Sequence, residues 1–437
     1  MAGEVRVRSW SEAIAVYADR RVIALAFLGF SAGLPFLLVF STLTAWLTEG
    51  DVSRSAIGFF AWIGITYSIK VLWAPIVDSI PVALLTRALG QRRSWMLLGQ
   101  IGIAAGLVLM TLAGPSSLLL LSLAALLVAF SSATQDIAID AFRIEAAVVE
   151  YQGAMSAAYI FGYRVALLAA GAGALYLAEV LNWEASYLVM AALMGVGMLT
   201  VLLISEPDRQ PSEAPALTIS GFGAWFAAAV VGPFSDFFRR HGRLALVMLL
   251  FIAVYRLSDI AMGIMANPFY LDMGFTKSEI ASVAKVFGFF MSIAGSFLCG
   301  VLVVKWGVMR PLLLGAVLVA VTNLLFAMLS TLTPDITYLA VVISADNVSG
   351  GIAATAFVAY LSSLTNKTYT ATQYALFSSL MTLPGKFISG FSGLVVDGYG
   401  YFEFFIVAAL LGTPAILLVL WLMKRQAALP EASASNG

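Results

Sequence analysis

Charge is scarce in this sequence. Only 11% of its 437 residues are Asp, Glu, Lys or Arg, while 61% are hydrophobic. Soluble domains carry about 25% charged residues, so water cannot be the solvent for most of this surface. The net charge is zero and the cations stand in short clusters between apolar runs, which excludes a nucleic-acid-binding protein. The composition therefore predicts a protein that lies in a membrane.

Cysteine and histidine are also nearly absent, with Cys299 and His241 the single examples. One cysteine cannot form an internal disulfide, and the two residues cannot build a metal cluster or a thiol nucleophile with its base. The sequence contains no glycine-rich phosphate loop followed by Lys and Ser or Thr, so it has no ATPase motif. We therefore predict a protein that is not an enzyme, that needs no metal or cofactor, and that draws its energy from an ion gradient or from a partner.

Long apolar runs dominate what is present. They are about 20 residues long and do not alternate with a period of two, which favours membrane helices over a β-barrel. We predict an all-α integral membrane protein with about twelve transmembrane helices in two pseudo-symmetric six-helix halves. The predicted spans are residues 22–47, 56–80, 94–113, 117–141, 153–177, 185–204, 244–271, 280–304, 311–329, 337–361, 374–396 and 402–423.

The cations indicate how the chain is oriented, because Lys and Arg concentrate in cytoplasmic loops. With the N-terminus in the cytoplasm, the loop cations fall on the cytoplasmic side, apart from Arg54 and Lys277. We expect both termini to be cytoplasmic. The predicted domains are an N-terminal segment 1–21, a bundle 22–204, a cytoplasmic linker 205–243 with an interfacial amphipathic segment 216–231, a bundle 244–423 and a tail 424–437.

The two predicted halves contain similar short motifs in corresponding spans. Residues 33–36 (GLPF) of the first span have a counterpart in residues 266–269 (ANPF) of the seventh. In the fifth and eleventh spans, residues 162–164 (GYR) correspond to residues 384–386 (PGK), each ending in a cation. Two such halves with a site between them are typical of the major facilitator architecture.

Charged residues interrupt the apolar runs, where each costs about 2.5 to 3.5 kcal/mol near the bilayer centre, so they usually face a cavity or a partner. Cations hold carboxylates or phosphates, and aromatic faces stack on sugar rings, which predicts a cavity for a polar, anionic ligand. The charged positions are Lys70, Asp136, Asp140, Arg164, Arg256, Asp259, Lys285, Asp346 and Lys386. The predicted substrate-binding residues are Tyr67, Lys70, Gln135, Tyr163, Arg164, Arg256 and Lys386.

The carboxylates suggest a second role. Burial favours the neutral form of a carboxylate and a nearby cation favours the charged form, so an Asp exposed alternately to the two sides can couple proton uptake to transport. Asp136, Asp140 and Asp259 are the predicted proton-coupling residues. A structural role stays open, since Asp259 can pair with Arg256 three residues away and so fix helix register.

A conformational latch is predicted between the second and third spans. Asp78 ends the second span, and Gly90, Arg92 and Arg93 follow in the next loop, in an order that resembles the signature of major facilitators. The spacing is longer than in that signature, with residues 79–89 interposed.

Six sequence blocks resemble the AmpG-type muropeptide permeases of the major facilitator superfamily. They are residues 27–35 (FLGFSAGLP), 67–78 (YSIKVLWAPIVD), 133–141 (ATQDIAIDA), 162–164 (GYR), 233–238 (PFSDFF) and 255–259 (YRLSD). The resemblance implies a bacterial inner-membrane importer that carries anhydro-muropeptides from periplasm to cytoplasm by proton symport. Such import feeds peptidoglycan recycling and, in some bacteria, β-lactamase induction.

Two other functions remain open at this stage. The chain could carry another bulky anion, such as acetyl-coenzyme A or a drug-like molecule, on the same cations. It could also be a membrane sensor or scaffold, although a scaffold gains little from ionisable groups in lipid. In either transporter hypothesis the expected partners are the lipid bilayer, the small-molecule substrate and protons, and the expected state is a monomer.

Overall fold

The computed structural model describes residues 9–52, 60–208, 222–389 and 391–434, which are almost entirely helical and contain no strand. The α-helices before residue 209 are α1 Trp10–Ala15, α2 Arg20–Leu38, α3 Ser41–Glu49, α4 Ile65–Ser68, α5 Ala74–Ser79, α6 Leu85–Leu89, α7 Gln91–Ala113, α8 Leu118–Ala146, α9 Gln152–Leu168, α10 Ala174–Val180, α11 Trp183–Leu193 and α12 Gly195–Leu203. Those after residue 221 are α13 Phe222–Phe226, α14 Gly232–His241, α15 Leu244–Tyr255, α16 Leu257–Asp272, α17 Lys277–Ile280, α18 Gly288–Trp306, α19 Met309–Leu329, α20 Ile336–Leu364, α21 Thr370–Ser389, α22 Ser392–Tyr399, α23 Tyr401–Leu411 and α24 Thr413–Ala434.

Short turns of other helix types join these elements. The 3-10 turns are Val16–Ala18, Ala61–Gly64, Lys70–Leu72, Val149–Tyr151 and Lys367–Tyr369. The π turns are Ala169–Gly173, Ala227–Val231 and Ala281–Phe287.

Within the described ranges, eleven helical stretches are long and apolar enough to cross a membrane. The second predicted span is not one of them. Residues 56–59 of that span lie outside the described residues, and the remainder is broken into the turn Ala61–Gly64, α4, the turn Lys70–Leu72 and α5. Pro75 in the first turn of α5 has no N–H to continue the preceding helix, which accounts for the last of these breaks.

The broken segment nevertheless crosses the bundle. One end of the bundle carries a cavity of about 570 Å³, lined by the ends of α2, α8 and α12 and by Lys367 of the second half. We call this end the linker face and the opposite end the distal face. Glu49 accepts a hydrogen bond from Trp183 at the distal face, whereas Asp78 contacts Arg92 at the linker face. Together with the eleven long stretches, this segment brings the number of crossings in the described ranges to twelve.

Glycines allow helices within each half to pack closely. A Cβ on Gly162 of α9 would lie 1.7 Å from the carbonyl oxygen of Ala26 on α2. In the second half, a Cβ on Gly295 of α18 would lie 2.2 Å from the carbonyl oxygen of Val348 on α20. Contacts of this kind hold helices together in lipid, where small residues let backbones approach each other.

The two halves also share a core at the linker face. Val304, Ala371 and Ala375 of the second half belong to the same buried apolar cluster as Leu25 and Phe142 of the first half. The described part of the linker contacts both halves as well, because the indole of Trp225 donates to Ser79, while Gln373 donates to the carbonyl oxygen of Pro233. Residues 209–221, which include part of the predicted amphipathic segment, lie outside the described residues.

Candidate transport site

A buried charge cluster at the linker face joins the two halves. Arg92, fully buried at the start of α7, donates to Asp78 at 2.7 Å and to Glu145 at 2.6 Å. The other carboxylate oxygen of Asp78 accepts hydrogen bonds from the backbone N–H and the hydroxyl of Thr372, both at 3.2 Å. Thr372 lies in the first turn of α21, whose N–H groups have no partner within the helix. Asp78 therefore connects a first-half arginine to the positive end of a second-half helix.

Gly90 and Arg93 contact the segment that follows α12. Gly90 has a φ of +90°, and a Cβ there would lie 2.4 Å from the side chain of Glu206. The Glu206 carboxylate accepts hydrogen bonds from the backbone N–H groups of Arg92 and Arg93, at 2.7 and 3.1 Å, while burial raises the pKa of Glu206. The Arg93 guanidinium donates to two carbonyl oxygens at the end of α12. The four predicted latch residues thus lie in one cluster in spite of the long loop between them.

A second polar network runs along α8 towards the second half. The carboxylate of Asp140 lies 3.9 Å from the ammonium of Lys70 and 3.4 Å from the guanidinium of Arg143. Arg143 is buried and donates to the hydroxyl of Ser362, on α20 of the second half, at 2.7 Å. It also lies over the ring of Tyr374, 5.1 Å from the ring centroid. These contacts link the first half to α20 and α21.

Asp136 lies one turn before Asp140 on α8, and its environment is different. One carboxylate oxygen of Asp136 is buried and accepts no hydrogen bond from the part of the chain that the structure describes. The aromatic residue predicted for sugar binding on this side, Tyr67, packs with Phe36 and Phe40 at centroid distances of 6.0 and 6.2 Å. The first half therefore offers an aromatic patch and, separately, an unbonded carboxylate oxygen.

A cavity of about 150 Å³ lies between the halves and is lined by charged side chains from both. Arg164 of α9 lines it from the first half, and Arg256, Asp259 and Asp346 line it from the second. Arg256 stands at the break between α15 and α16, with φ −94° and ψ 2°, so its side chain enters the cavity where the helix is interrupted. Its Nε donates to Asp259 at 3.0 Å, which confirms the pairing expected from the spacing.

Other predicted site residues do not join this cavity. Gln135 is fully buried inside the first half, where it accepts a hydrogen bond from Ser31 at 2.8 Å. Tyr163 is half-buried and is not among the residues that line the cavity. Lys386 is exposed and lies 3.4 Å from the hydroxyl of Ser68, across the interface between the halves. The side chain of Lys285 lies outside the described residues.

Several residues of these networks have no role predicted from the sequence. Glu145 is one, although a carboxylate shortly after the apolar run 117–141 is a signal for a cationic partner such as Arg92. Asp346 is one of the charges within the apolar runs, and the sequence predicts no function for it. The hydroxyls of Ser362 and Thr372 carry no signal in the sequence, because such residues are common in membrane helices.

In the described part of the chain, eleven membrane-length helical stretches and one segmented crossing form two halves with charged side chains between them, which defines a multi-pass membrane transporter. The sequence profile of the Major Facilitator Superfamily matches residues 25–385 and, in a second overlapping match, residues 254–437. The chain belongs to this superfamily and, within it, to the AmpG-type permeases. It is therefore a transporter and not an enzyme.

Named relatives support this assignment over almost the whole chain. The chain is 34% identical over 413 residues to the "Putative transporter AmpG 4" of Rickettsia felis, covering 94% of this chain and 98% of the relative. It is 32% identical over 413 residues to the "Anhydromuropeptide permease" of Escherichia coli K12, covering 94% of this chain and 81% of that protein. The predicted resemblance is confirmed.

Solved structures share the fold. The crystal structure of the Escherichia coli fucose:proton symporter superposes with a TM-score of 0.68 at 14% identity, covering 95% of this chain and 99% of that one. A human organic anion transporter superposes with a TM-score of 0.66, also at 14% identity, covering 92% and 99%. At this identity the similarity concerns the fold alone.

Proposed function

We propose that this protein imports anhydro-muropeptides, that is N-acetylglucosamine linked to 1,6-anhydro-N-acetylmuramic acid with or without a peptide, by proton symport. Transport runs from periplasm to cytoplasm across a bacterial inner membrane and serves peptidoglycan recycling. The protein acts as a monomer with both termini in the cytoplasm, so that the linker face is the cytoplasmic face. Support comes from the AmpG-named relatives and from the permease of Escherichia coli.

The observation that carries the proposal is the placement of Arg164 and Arg256. They come from different halves and line one cavity between them. A guanidinium binds a carboxylate through two parallel hydrogen bonds, so two of them suit a substrate that carries carboxyl groups. Lys70, Lys386 and the ring of Tyr67 are assigned to the remainder of the substrate, with Tyr163 and Gln135 supporting the same region from α9 and α8.

Alternating access needs contacts that hold one face closed and can break. Two such contacts cross the halves at the linker face: Asp78 with Thr372, and Arg143 with Ser362. A third contact joins the N-terminal segment to the second half, where the hydroxyl of Tyr17 donates to the carbonyl oxygen of Phe297 at 2.8 Å. The latch formed by Asp78, Gly90, Arg92 and Arg93 belongs to this set. In the proposed cycle these contacts hold the outward-open state, and they separate when substrate is released into the cytoplasm.

Proton coupling is assigned to the three predicted carboxylates. Asp140 contacts both Lys70 and Arg143, and Asp259 is paired with Arg256. Protonating either would free a cation that now has a partner, and so would change the contacts between the halves. Asp136 can take up a proton without breaking an ion pair among the described residues.

Uptake into proteoliposomes tests the function. Labelled disaccharide peptide is offered with and without an imposed proton gradient, and gradient-dependent accumulation is the expected result. Absence of uptake under both conditions would contradict the proposed transport function. Uptake that is the same with and without the gradient would contradict only the proton coupling. The alternative substrate class is tested in the same vesicles, since a carrier of coenzyme A esters would be inhibited by acetyl-coenzyme A.

A further inference from the structure

Asp346 has no role in the function proposed above, yet it lines the same cavity as Arg164 and Arg256. It lies on α20, the fourth crossing of the second half, as Asp136 lies on α8, the fourth crossing of the first half. Its carboxylate accepts a hydrogen bond from the hydroxyl of Thr322 at 3.4 Å. Within the described residues Asp346 forms no ion pair.

The charges around this cavity leave one cation without a fixed partner. Arg256 is paired with Asp259. Arg164 forms no ion pair in the described part of the chain, although it lines the cavity together with Asp346. Of the described titratable groups, Arg164, Arg256 and Asp259 line the cavity together with Asp346, and Tyr270 on α16 is near its carboxylate. Among the described residues, the cavity is therefore lined by two guanidiniums and two carboxylates.

The size of the cavity sets what it can hold. Pockets for whole drug-sized ligands have volumes of about 300 to 1,000 Å³. A volume of about 150 Å³ fits one substituent of a larger ligand. The polar groups that face it include two guanidiniums, which select a carboxylate over an amide or a hydroxyl.

We propose that this cavity is the subsite for one carboxylate of the transported substrate, and that Asp346 joins Asp136, Asp140 and Asp259 in proton coupling by taking up a proton when that carboxylate binds. The proposal rests on the transport function proposed above. A substrate carboxylate beside Arg164 adds a negative charge next to Asp346, and like charges at close range disfavour each other. A proton from the open face moves to the Asp346 carboxylate oxygen and restores the balance. When the substrate leaves, Arg164 again faces an ionised Asp346, and the proton departs on the side that is then open.

The first test uses Asp346→Asn in proteoliposomes, with Asp397→Asn as the matched control because Asp397 is an exposed carboxylate on α22. D346N is expected to retain exchange of labelled for unlabelled disaccharide peptide and to lose accumulation driven by a proton gradient, by at least tenfold. D397N is expected to behave as the unaltered protein. Asp346→Glu should retain accumulation, because it keeps a carboxylate. If D346N does not yield folded protein, Asp346→Ser replaces it in the same assay.

The second test changes the substrate. Purified protein in weakly buffered detergent solution receives either the disaccharide peptide or the same compound with its carboxyl groups amidated, and proton uptake is measured with a pH electrode. The acid should cause proton uptake and the amide should cause none, and uptake should vanish in D346N.

The outcomes separate the two proposals. Absence of uptake by the unaltered protein removes the transport function and this inference with it. Intact accumulation in D346N, equal loss of exchange and accumulation, or equal proton uptake with both compounds removes the role of Asp346 and leaves the transport function in place.

Discussion

The carboxylate of Asp78 accepts two hydrogen bonds from Thr372, one from its backbone N–H and one from its hydroxyl, each at 3.2 Å. The two residues are 294 positions apart and belong to different halves. Asp78 also forms an ion pair with the buried Arg92 of the first half. The carboxylate of Asp78 therefore connects α21 to the first half. Movement of α21 away from α5 must break these bonds.

Thr372→Ala should therefore weaken closure of the linker face. Loss of one hydrogen bond costs about 1 kcal/mol, which corresponds to a roughly fivefold shift towards the state open at the linker face. The measurement is the distance between spin labels at Val148→Cys and Lys424→Cys, two exposed sites at that face, in a Cys299→Ala background. The fraction of molecules with a long distance between the two labels should be higher in the Thr372 variant than in the protein with Thr372.

Ser363→Ala serves as the control for this experiment. Its hydroxyl bonds to the carbonyl oxygen of Tyr360 on its own helix, so its loss leaves the interface unchanged. Identical distance distributions in the Thr372 and Ser363 variants would contradict a latch role for Asp78.

Arg164→Ala should weaken substrate binding. A hydrogen bond to a charged group contributes about 1.5 to 3 kcal/mol, so the half-saturation concentration for disaccharide-peptide uptake should rise by roughly 10- to 100-fold. Arg239→Ala, which removes an exposed cation from α14, is the control and should have no such effect. An unchanged half-saturation concentration in the Arg164 variant would place the substrate elsewhere.

Asp140→Asn tests the coupling role of a residue that already has two cationic neighbours, Lys70 and Arg143. If Asp140 carries the proton, exchange across proteoliposomes should survive while gradient-driven accumulation disappears. Both activities are measured with the same labelled disaccharide peptide. Equal loss of both would indicate that Asp140 binds substrate or holds the ion-pair network together.

The architecture could be predicted from the sequence because it depends on local properties. Hydrophobic runs of span length identify membrane helices, and residues three apart on a helix identify the pair of Arg256 and Asp259. The segmented second crossing was missed in its detail, since hydropathy reports how apolar a run is and not whether its backbone remains one helix. Prolines such as Pro75 were the available signal.

The candidate site could be predicted only in part, because helix rotation and packing between halves decide which side chains meet. Gln135 and Asp136 are neighbours in sequence, yet successive residues on a helix point in directions about 100° apart. Gln135 consequently faces Ser31 inside the first half. The meeting of Arg164 with Arg256 depends on how α9 packs against the second half, which no local pattern encodes.

Gly162→Ala should destabilise the fold. Its Cβ would lie 1.7 Å from a backbone oxygen of α2, which cannot move independently of its helix. Overpacking of this kind costs about 1 to 3 kcal/mol, which for a chain of this length should lower the thermal unfolding temperature in detergent by roughly 1 to 3 °C. Gly195→Ala is the matched control, because a Cβ there meets nothing within 4 Å, and it should be neutral or slightly stabilising. Equal unfolding temperatures for the two variants would contradict close packing of α2 and α9.

Stability should also depend on pH through Asp236, which ties the linker helix α14 to the second half. Burial acts to raise the pKa of Asp236, but hydrogen bonds from Asn366, Arg240 and Gln373 outweigh it and hold the pKa below its ordinary value of 3.8. Because the folded state binds the proton less readily than the unfolded state, this stabilisation is present above pH 3.8 and is lost as the pH falls through the lower folded value.

Unfolding of the detergent-solubilised protein, followed by tryptophan fluorescence as the pH is lowered, measures this effect. Asp236→Asn should be less stable than the unaltered protein at neutral pH, because the ion pair with Arg240 is gone. The difference should shrink as the solution becomes acidic, since protonation removes the same charge from the unaltered protein. A difference that stays constant down to acidic pH would show that the hydrogen bonds of Asp236 matter only through their geometry and not through its charge.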